Sequence, residues 1–302
     1  MPLRYWAAIL LLAAGWGASF FFNEILLREL GPLMVGLGRV GFGALGCWIW
    51  VLGSKLTKGG AVGLGGASLV ALVLFSAFQY AIPLTIYPLT QQYITSSAAG
   101  IVNAMTPIMV VIVSHLWPQG EKMTLLRSVG VLFGFLGIVI LALPSLRGQG
   151  ESDPVALLAT MGAPLCYAFA LNLIRWLNAM DRVLLTTWSL TLASAMLAPF
   201  AFSVEGLPVI EQAQTWYALI VIGFILTSAA FILLFWLIPR VGGTTASTIT
   251  FIAPVSSVLL GVLILNEQLL PIQMLGMAVI FLGMIFVDGR LLKMLGRRFQ
   301  SS

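Results

Sequence analysis

Two thirteen-residue stretches decide the fold: TSSAAGIVNAMTP at residues 95–107 and GGTTASTITFIAP at residues 242–254. Each opens on small and hydroxyl side chains, continues as an apolar helix and ends on a proline. The likeness runs on downstream. Glu121 follows the first stretch and Glu267 the second, and Gly130 and Gly137 are matched by Gly276 and Gly283. The offset is 147 at the prolines and 146 at the glycines, so one single-residue gap reconciles them. Asn23 and Asn172 form a further candidate pair. The chain is a repeat of two units.

Composition says what each unit is made of. Of 302 residues, 60% are hydrophobic and 8% charged, and the mean hydropathy is +1.05. A soluble domain carries roughly 25% charged residues. The deficit excludes an ordinary soluble enzyme, a nucleic-acid binder and a disordered chain. The net charge of +5 reports loop charges that orient membrane spans rather than a nucleic-acid partner. Cys47 and Cys166 both sit in apolar runs and His115 is the sole histidine. Disulfide frameworks, Cys or His-pair metal sites and bound cofactors are therefore not expected.

A helix crossing a ~30 Å hydrocarbon core needs about 20 apolar residues. Charged residues cut this chain into such lengths: 5–23, 30–54 (interrupted by Arg39), 59–120, 128–146, 154–174, 183–204, 212–239, 241–266 and 268–287. The 62-residue run at 59–120 holds two spans, with the turn expected at Tyr87–Gln92, where proline and amides collect. The first run, behind Arg4, looks like a secretory signal but is long for one, and many spans follow it, so it counts as the first helix. The runs lack the two-residue alternation of barrel strands. The expected fold is an all-α integral membrane protein of ten transmembrane helices.

Ten helices in two units are five each. Five is odd, so the second unit enters the membrane from the opposite side: an inverted repeat, the architecture of many secondary transporters. The expected units are residues 1–147 and 148–290, followed by a basic cytoplasmic tail at 291–302. With the N-terminus placed in the cytoplasm, twelve Lys and Arg fall inside and two, Arg28 and Arg147, outside. That bias predicts both termini inside.

A transport site belongs near the midplane, where the repeats meet. On the first helix Trp16, Ser19, Phe20 and Asn23 share a face, on the third Ser76, Tyr80, Pro83 and Tyr87, with Gln79 beside them, and on the fourth Ala99, Asn103, Thr106 and Val110. The ninth repeats the fourth with Thr250 and Pro254, and the sixth and seventh add Tyr167, Asn172, Trp188 and Ser189. From these, Trp16, Ser19, Asn23, Gln79, Tyr80, Asn103, Thr106, Tyr167, Trp188 and Thr250 are taken as substrate-binding candidates. For the aromatic residues the competing role is the interfacial belt, which suits Tyr5, Trp6, Trp117, Trp216 and Tyr217 at helix ends better than those deep in the spans. For Asn, Gln, Ser and Thr it is interhelical hydrogen bonding, worth about 0.6 kcal/mol each. Pro107 and Pro254 are gating or structural candidates, a hinge or a static kink. His115 is a candidate proton relay or a helix-end residue.

Arg39 lies eight residues past Gly31, about 12 Å deep at ~1.5 Å per residue, and costs about 2.5–3.5 kcal/mol to insert. It is a counter-charge for a substrate carboxylate, or a structural group bonded to a neighbouring helix or snorkelling outward. No Asp or Glu lies in a span interior, which speaks against a carboxylate proton relay and for a facilitator.

The pattern resembles the EamA-type branch of the drug/metabolite transporter superfamily over nearly the whole chain. The carriers are Trp16-Gly17-Ala18-Ser19-Phe20, Arg39, the alanine-rich start of the fourth helix with Thr106-Pro107, Thr250 through Pro254, Glu267, and the Gly276 to Gly283 spacing. Within it the chain is most similar to bacterial aromatic amino acid exporters of the YddG type. Pro164-Leu165-Cys166 departs from that pattern, where a tryptophan is common. A similar arginine recurs in members with unlike substrates, which favours the structural role for Arg39. The resemblance implies a ten-helix basket, alternating access and efflux of small metabolites.

The expected function is thus an inner-membrane exporter of amino acids, aromatic and other neutral ones, and similar small amphiphiles. It is expected to be facilitative, without a cofactor, to act as a monomer and to have the lipid bilayer as its surroundings. The alternatives are an exporter of hydrophobic drugs or other metabolites, proton-coupled or not, and an integral-membrane enzyme. An enzyme would need a carboxylate pair or a His/Asp set at one depth.

Overall fold

The computed structural model describes residues 2–58, 63, 68–149 and 151–289. The basic tail expected at 291–302 lies outside them. Among the described residues nine helices are long and apolar enough to cross a membrane. They are α1 (Leu3–Leu26), α2 (Pro32–Ser54), α3 (Leu69–Gln91), α4 (Ser96–Leu116), α5 (Leu125–Leu146), α6 (Pro154–Leu177), α7 (Arg182–Glu205), α8 (Ala213–Gly242) and α10 (Pro271–Asp288). The tenth, α9 (Ile249–Ile264), is shorter. Residues 2 and 289 lie on one face, called here the N-terminal face; the other is the far face.

Local chemistry sets the helix starts. Thr95, Thr124, Asp153 and Asp181 each accept a backbone N–H of the following first turn through their side chains, which satisfies otherwise orphaned donors. Pro154 and Pro271 stand in first turns, where a missing N–H costs nothing.

The inverted repeat is written into the α5–α10 contact. A Cβ built on Gly130 would come within 2.6 Å of Gly283 O, and one on Gly137 within 2.8 Å of Gly276 O. The partner number falls by seven as the residue number rises by seven, so the two helices run antiparallel. Gly130 and Gly276 are repeat mates, as are Gly137 and Gly283; exchanging the repeats turns one contact into the other. A pseudo-two-fold axis in the membrane plane follows. Glycine is required here because the backbones themselves touch.

Three expectations are corrected. The turn after the third helix lies past Gln91, not at Tyr87–Gln92, so Tyr87 and Pro88 are helical. Gln91 is not loop-like: its Nε2 donates to Phe20 O (2.9 Å) and its Oε1 accepts from Asn23 Nδ2 (2.8 Å), a pairing that lets an amide stay buried. The ninth helix does not start regularly at Gly242. Gly242 adopts φ 79°, and a turn at Ser247–Thr248 precedes Ile249. Pro107 and Pro254 are accordingly not in equivalent places. Pro107 stands in the first turn after a break at Ala104–Met105, whereas Pro254 is inside its helix.

Helices α3 and α8 each contain a wide turn, at Ala77–Ala81 and Val221–Ala229. These segments correspond under the repeat. Such π-type turns replace i→i+4 bonds by i→i+5 bonds and are often found at functional sites.

Candidate functional site

Both wide turns border a central cavity of about 200 Å³. Helix α1 contributes Trp16, Ser19 and Phe20; α2 contributes Arg39; α3 contributes Gln79, Tyr80, Leu84 and Tyr87. From α4 come Asn103 and Thr106, from α6 Tyr167 and Leu171, from α8 Thr227 and Phe231, and from α9 Thr250 and Ala253. Both repeats build it.

The Arg39 guanidinium is buried in this wall. Its Nε donates to Thr227 Oγ1 (3.3 Å) and its Nη2 to Ser19 Oγ (3.0 Å). It neither snorkels outward nor binds a helix carbonyl. Its neighbours are two hydroxyls, and all ten acidic residues of the chain fall among the described residues without lining the cavity. Thr227 Oγ1 donates in turn to Ile222 O (2.8 Å), a carbonyl five residues back that the wide turn brings within its reach. Glycines of α2 let α8 come this close: a Cβ on Gly43 would stand 2.8 Å from Thr227 Cγ2.

Opposite lies a polar relay. Tyr87 OH donates to Asn103 Oδ1 (2.7 Å). Pro107 has no N–H, so the carbonyl four residues before it, that of Asn103, has no helical donor. Thr106 Oγ1 takes that role at 2.8 Å. The proline thus ties Asn103 and Thr106 into one rim rather than leaving a bare carbonyl. Aromatic edges form the apolar wall: Phe20 against Tyr87 (5.0 Å between ring centres), Trp16 against Phe231 and Tyr80 against Phe231 (both 5.6 Å).

The repeat is visible in the site itself. Tyr80 OH donates to Thr186 Oγ1 (3.4 Å). Adding 147 to Tyr80 gives Thr227, and adding it to Arg39 gives Thr186. The Arg39–Thr227 and Thr186–Tyr80 contacts are therefore one contact, made twice. Asn103 and Thr250 are mates by the same offset, as are Thr106 and Ala253.

The structure brings together eight of the ten substrate-binding candidates: Trp16, Ser19, Gln79, Tyr80, Asn103, Thr106, Tyr167 and Thr250. Asn23 is buried toward the far face on Gln91. Trp188 is outside the cavity wall and packs edge-to-face on Trp48 of α2 (5.3 Å), so its face of α7 is turned to a neighbouring helix rather than to the cavity. Pro107 and Pro254 lie behind the wall. His115 sits at the end of α4, where its Nδ1 accepts from Met123 N (3.0 Å), away from the cavity. Phe20 and Tyr87, which spacing puts on the candidate faces without their being among the ten, also line the cavity; sequence reasoning missed Leu84, Leu171, Thr227, Phe231 and Ala253 altogether. The 147-residue offset applied to Tyr80 and Thr106 would have found two of them.

A vestibule of about 810 Å³ reaches the N-terminal face past Trp50, Asp181, Arg182, Trp236 and Pro239. It shares Trp16, Gln79, Tyr80, Leu171 and Phe231 with the central cavity. The far face is shut off from the central cavity: its cleft of about 290 Å³, bordered by Glu24, Gln91 and Glu267, shares no residue with that cavity, and carboxylates cap helix starts around it. Glu205 accepts from Leu33 N (2.9 Å) and Met34 N (2.8 Å) at the start of α2, and Glu29 accepts from Gln212 N and from Thr215 Oγ1 at the start of α8.

A family model described as the EamA-like transporter family matches residues 4–143 and again residues 154–287. An uncharacterized transporter of Archaeoglobus fulgidus is 24% identical over 292 residues, 94% of this chain and 99% of that protein. The uncharacterized transporter YoaV of Bacillus subtilis is 23% identical over 278 residues, 90% of this chain and 92% of that one. A crystal structure aligns with a TM-score of 0.63 at 19% identity, covering 96% of this chain and 97% of its own, a likeness of fold.

Proposed function

The chain belongs to the EamA-like transporter family, and from that premise we propose that it exports neutral amino acids, aromatic ones included, and similar small amphiphiles. It does so by alternating access in the inner membrane, as a monomer with both termini cytoplasmic. The observation that supports this reading most is the content of the cavity: one guanidinium, amides and hydroxyls, aromatic walls, and no carboxylate. A zwitterion with an apolar side chain matches each part. Arg39 receives the carboxylate, because a cation held only by hydroxyls gains most from an anionic partner. The Gln79 and Asn103 carbonyls and the ring faces of Trp16 and Tyr80 receive the ammonium. Phe20, Phe231 and Leu171 receive the side chain.

With no carboxylate in the cavity, translocation needs no proton step there, so the carrier is a facilitator. Purified protein in liposomes loaded with radiolabelled phenylalanine tests this. Downhill efflux persists when the pH gradient is collapsed, and His115→Ala keeps most of it. Flux that depends strictly on an imposed pH gradient and vanishes in His115→Ala overturns the facilitator. Absence of flux for every neutral amino acid overturns the substrate class.

A further inference from the structure

On the far face the connection after α9 grips the start of α4. Glu267 accepts from Ser96 N (2.7 Å), Ser97 N (3.0 Å) and Ser97 Oγ (2.5 Å). Ser257 Oγ of α9 donates to Ser96 O (2.9 Å) alongside. A carboxylate on the first N–H groups of a helix is held by charge-assisted bonds and by the helix dipole together. The grip joins one repeat to the other, and it sits on the closed side.

The mate of Glu267 is Glu121. Both follow a left-handed residue, Asn266 (φ 57°) and Gln119 (φ 59°). The one-residue difference in offset falls between these residues and the glutamates, where the first repeat carries the additional Gly120. Yet Glu121 does something different. It lies on the N-terminal face with its side chain 75% exposed and pairs with Arg127 at 2.7 Å. The groups it would grip by symmetry are the backbone N–H groups of Gly243 and Thr244, the mates of Ser96 and Ser97. They follow the irregular Gly242, on the face where the vestibule opens.

We propose that Glu267 and Glu121 are alternating locks of one device. In the conformation described, Glu267 caps α4 and keeps the far face shut while Glu121 is parked on Arg127. In the other conformation the repeats exchange roles. Glu267 lets go, Glu121 leaves Arg127, and Glu121 caps the backbone at Gly243 and Thr244 to shut the N-terminal face. The repeat supplies the reason: two halves related by a pseudo-two-fold axis can trade conformations, and the Glu267 grip has in Glu121 a mate able to make the same grip on the other side. Arg127 holds the idle carboxylate in solvent, where an exposed ion pair is weak enough to give up. The inference rests on alternating access, not on the substrate being an amino acid.

Paired spin labels on the full chain in liposomes test it, with one pair at Gln92 and Gln268 on the far face and one at Gln119 and Arg240 on the N-terminal face. Glu267→Gln raises the population with a widened far-face pair and a shortened N-terminal pair, by about tenfold for loss of one charged cap. Arg127→Ala, which removes a half-buried guanidinium at the helix start and no core contact, shifts the populations the same way by about 1.5- to 5-fold. Adding Glu121→Gln to Arg127→Ala abolishes that shift. If Arg127→Ala moves neither distance, or moves them equally with Glu121→Gln present, Glu121 is an ordinary surface residue and the proposal is overturned. If substrate flux proceeds while neither distance changes in any variant or with substrate, alternating access itself is overturned, and the locks with it.

Discussion

Gly137→Ala, compared with Gly41→Ala, isolates the contact that sets the repeat axis. Both positions are helical glycines, and alanine in a helix interior is favoured over glycine by about 0.8–1 kcal/mol. That gain is common to both and cancels in the comparison. At Gly41 a Cβ meets nothing within 4 Å. At Gly137 it stands 2.6 Å from Ile280 Cγ1 and 2.8 Å from both Gly276 O and Ile280 N. Carbon contacts are comfortable from about 3.5 Å, so α10 must retreat by ~0.7 Å, and two of the three obstacles are backbone that cannot rotate away. Overpacking of this kind costs about 1–3 kcal/mol. Gly137→Ala is therefore less stable than Gly41→Ala by that amount, a difference of several degrees in unfolding temperature. Gly283→Ala, with Gly130 O at 2.6 Å and Gly134 N at 2.8 Å, behaves like Gly137→Ala. The assay is the fraction of monodisperse protein surviving a heating series in detergent, read by size-exclusion chromatography. Gly137→Ala surviving as well as Gly41→Ala would falsify the backbone contact, and with it the axis drawn through α5 and α10.

Tyr87→Phe removes one interhelical hydrogen bond, about 0.6 kcal/mol, and raises the KM for transport about threefold in the liposome assay, while Asn103→Ala, which also removes the acceptor, lowers transport further with membrane insertion intact; wild-type flux in Asn103→Ala would show that the rim does not touch substrate. Arg39→Gln, losing a charged partner worth about 1.5–3 kcal/mol, raises the KM for phenylalanine by about 10- to 100-fold but leaves competition by phenethylamine, which has no carboxylate, unchanged; equal losses for both would assign Arg39 to structure alone. Reporter fusions at the C-terminus and in the connection around Glu151 give cytoplasmic and external activity respectively, and external activity at the C-terminus would reverse the orientation drawn from the Lys and Arg distribution.

The sequence by itself determined the number of helices, their order and their inverted pairing. These follow from quantities that are local or additive: apolar length against the thickness of hydrocarbon, the position of charges, and recurrence at one offset. It also determined much of the cavity, because Trp16 and Ser19, or Asn103 and Thr106, share a helix face whatever the neighbours do. Tertiary structure decided the rest. Whether Gln91 lies in an exposed turn or is buried at the end of its helix depends on Asn23 and Phe20 O, 68 and 71 residues away. Which way Trp188 faces depends on Trp48, and regular spacing fails across the wide turns of α3 and α8, which rotate one part of the helix against the other. Above all, two glutamates at equivalent places in the repeat have different partners, Ser96 and Ser97 for one and Arg127 for the other. Recurrence in the sequence marks the two as mates; which one caps a helix and which pairs with an arginine depends on residues brought to it across the fold, Ser96 and Ser97 lying some 170 positions from Glu267.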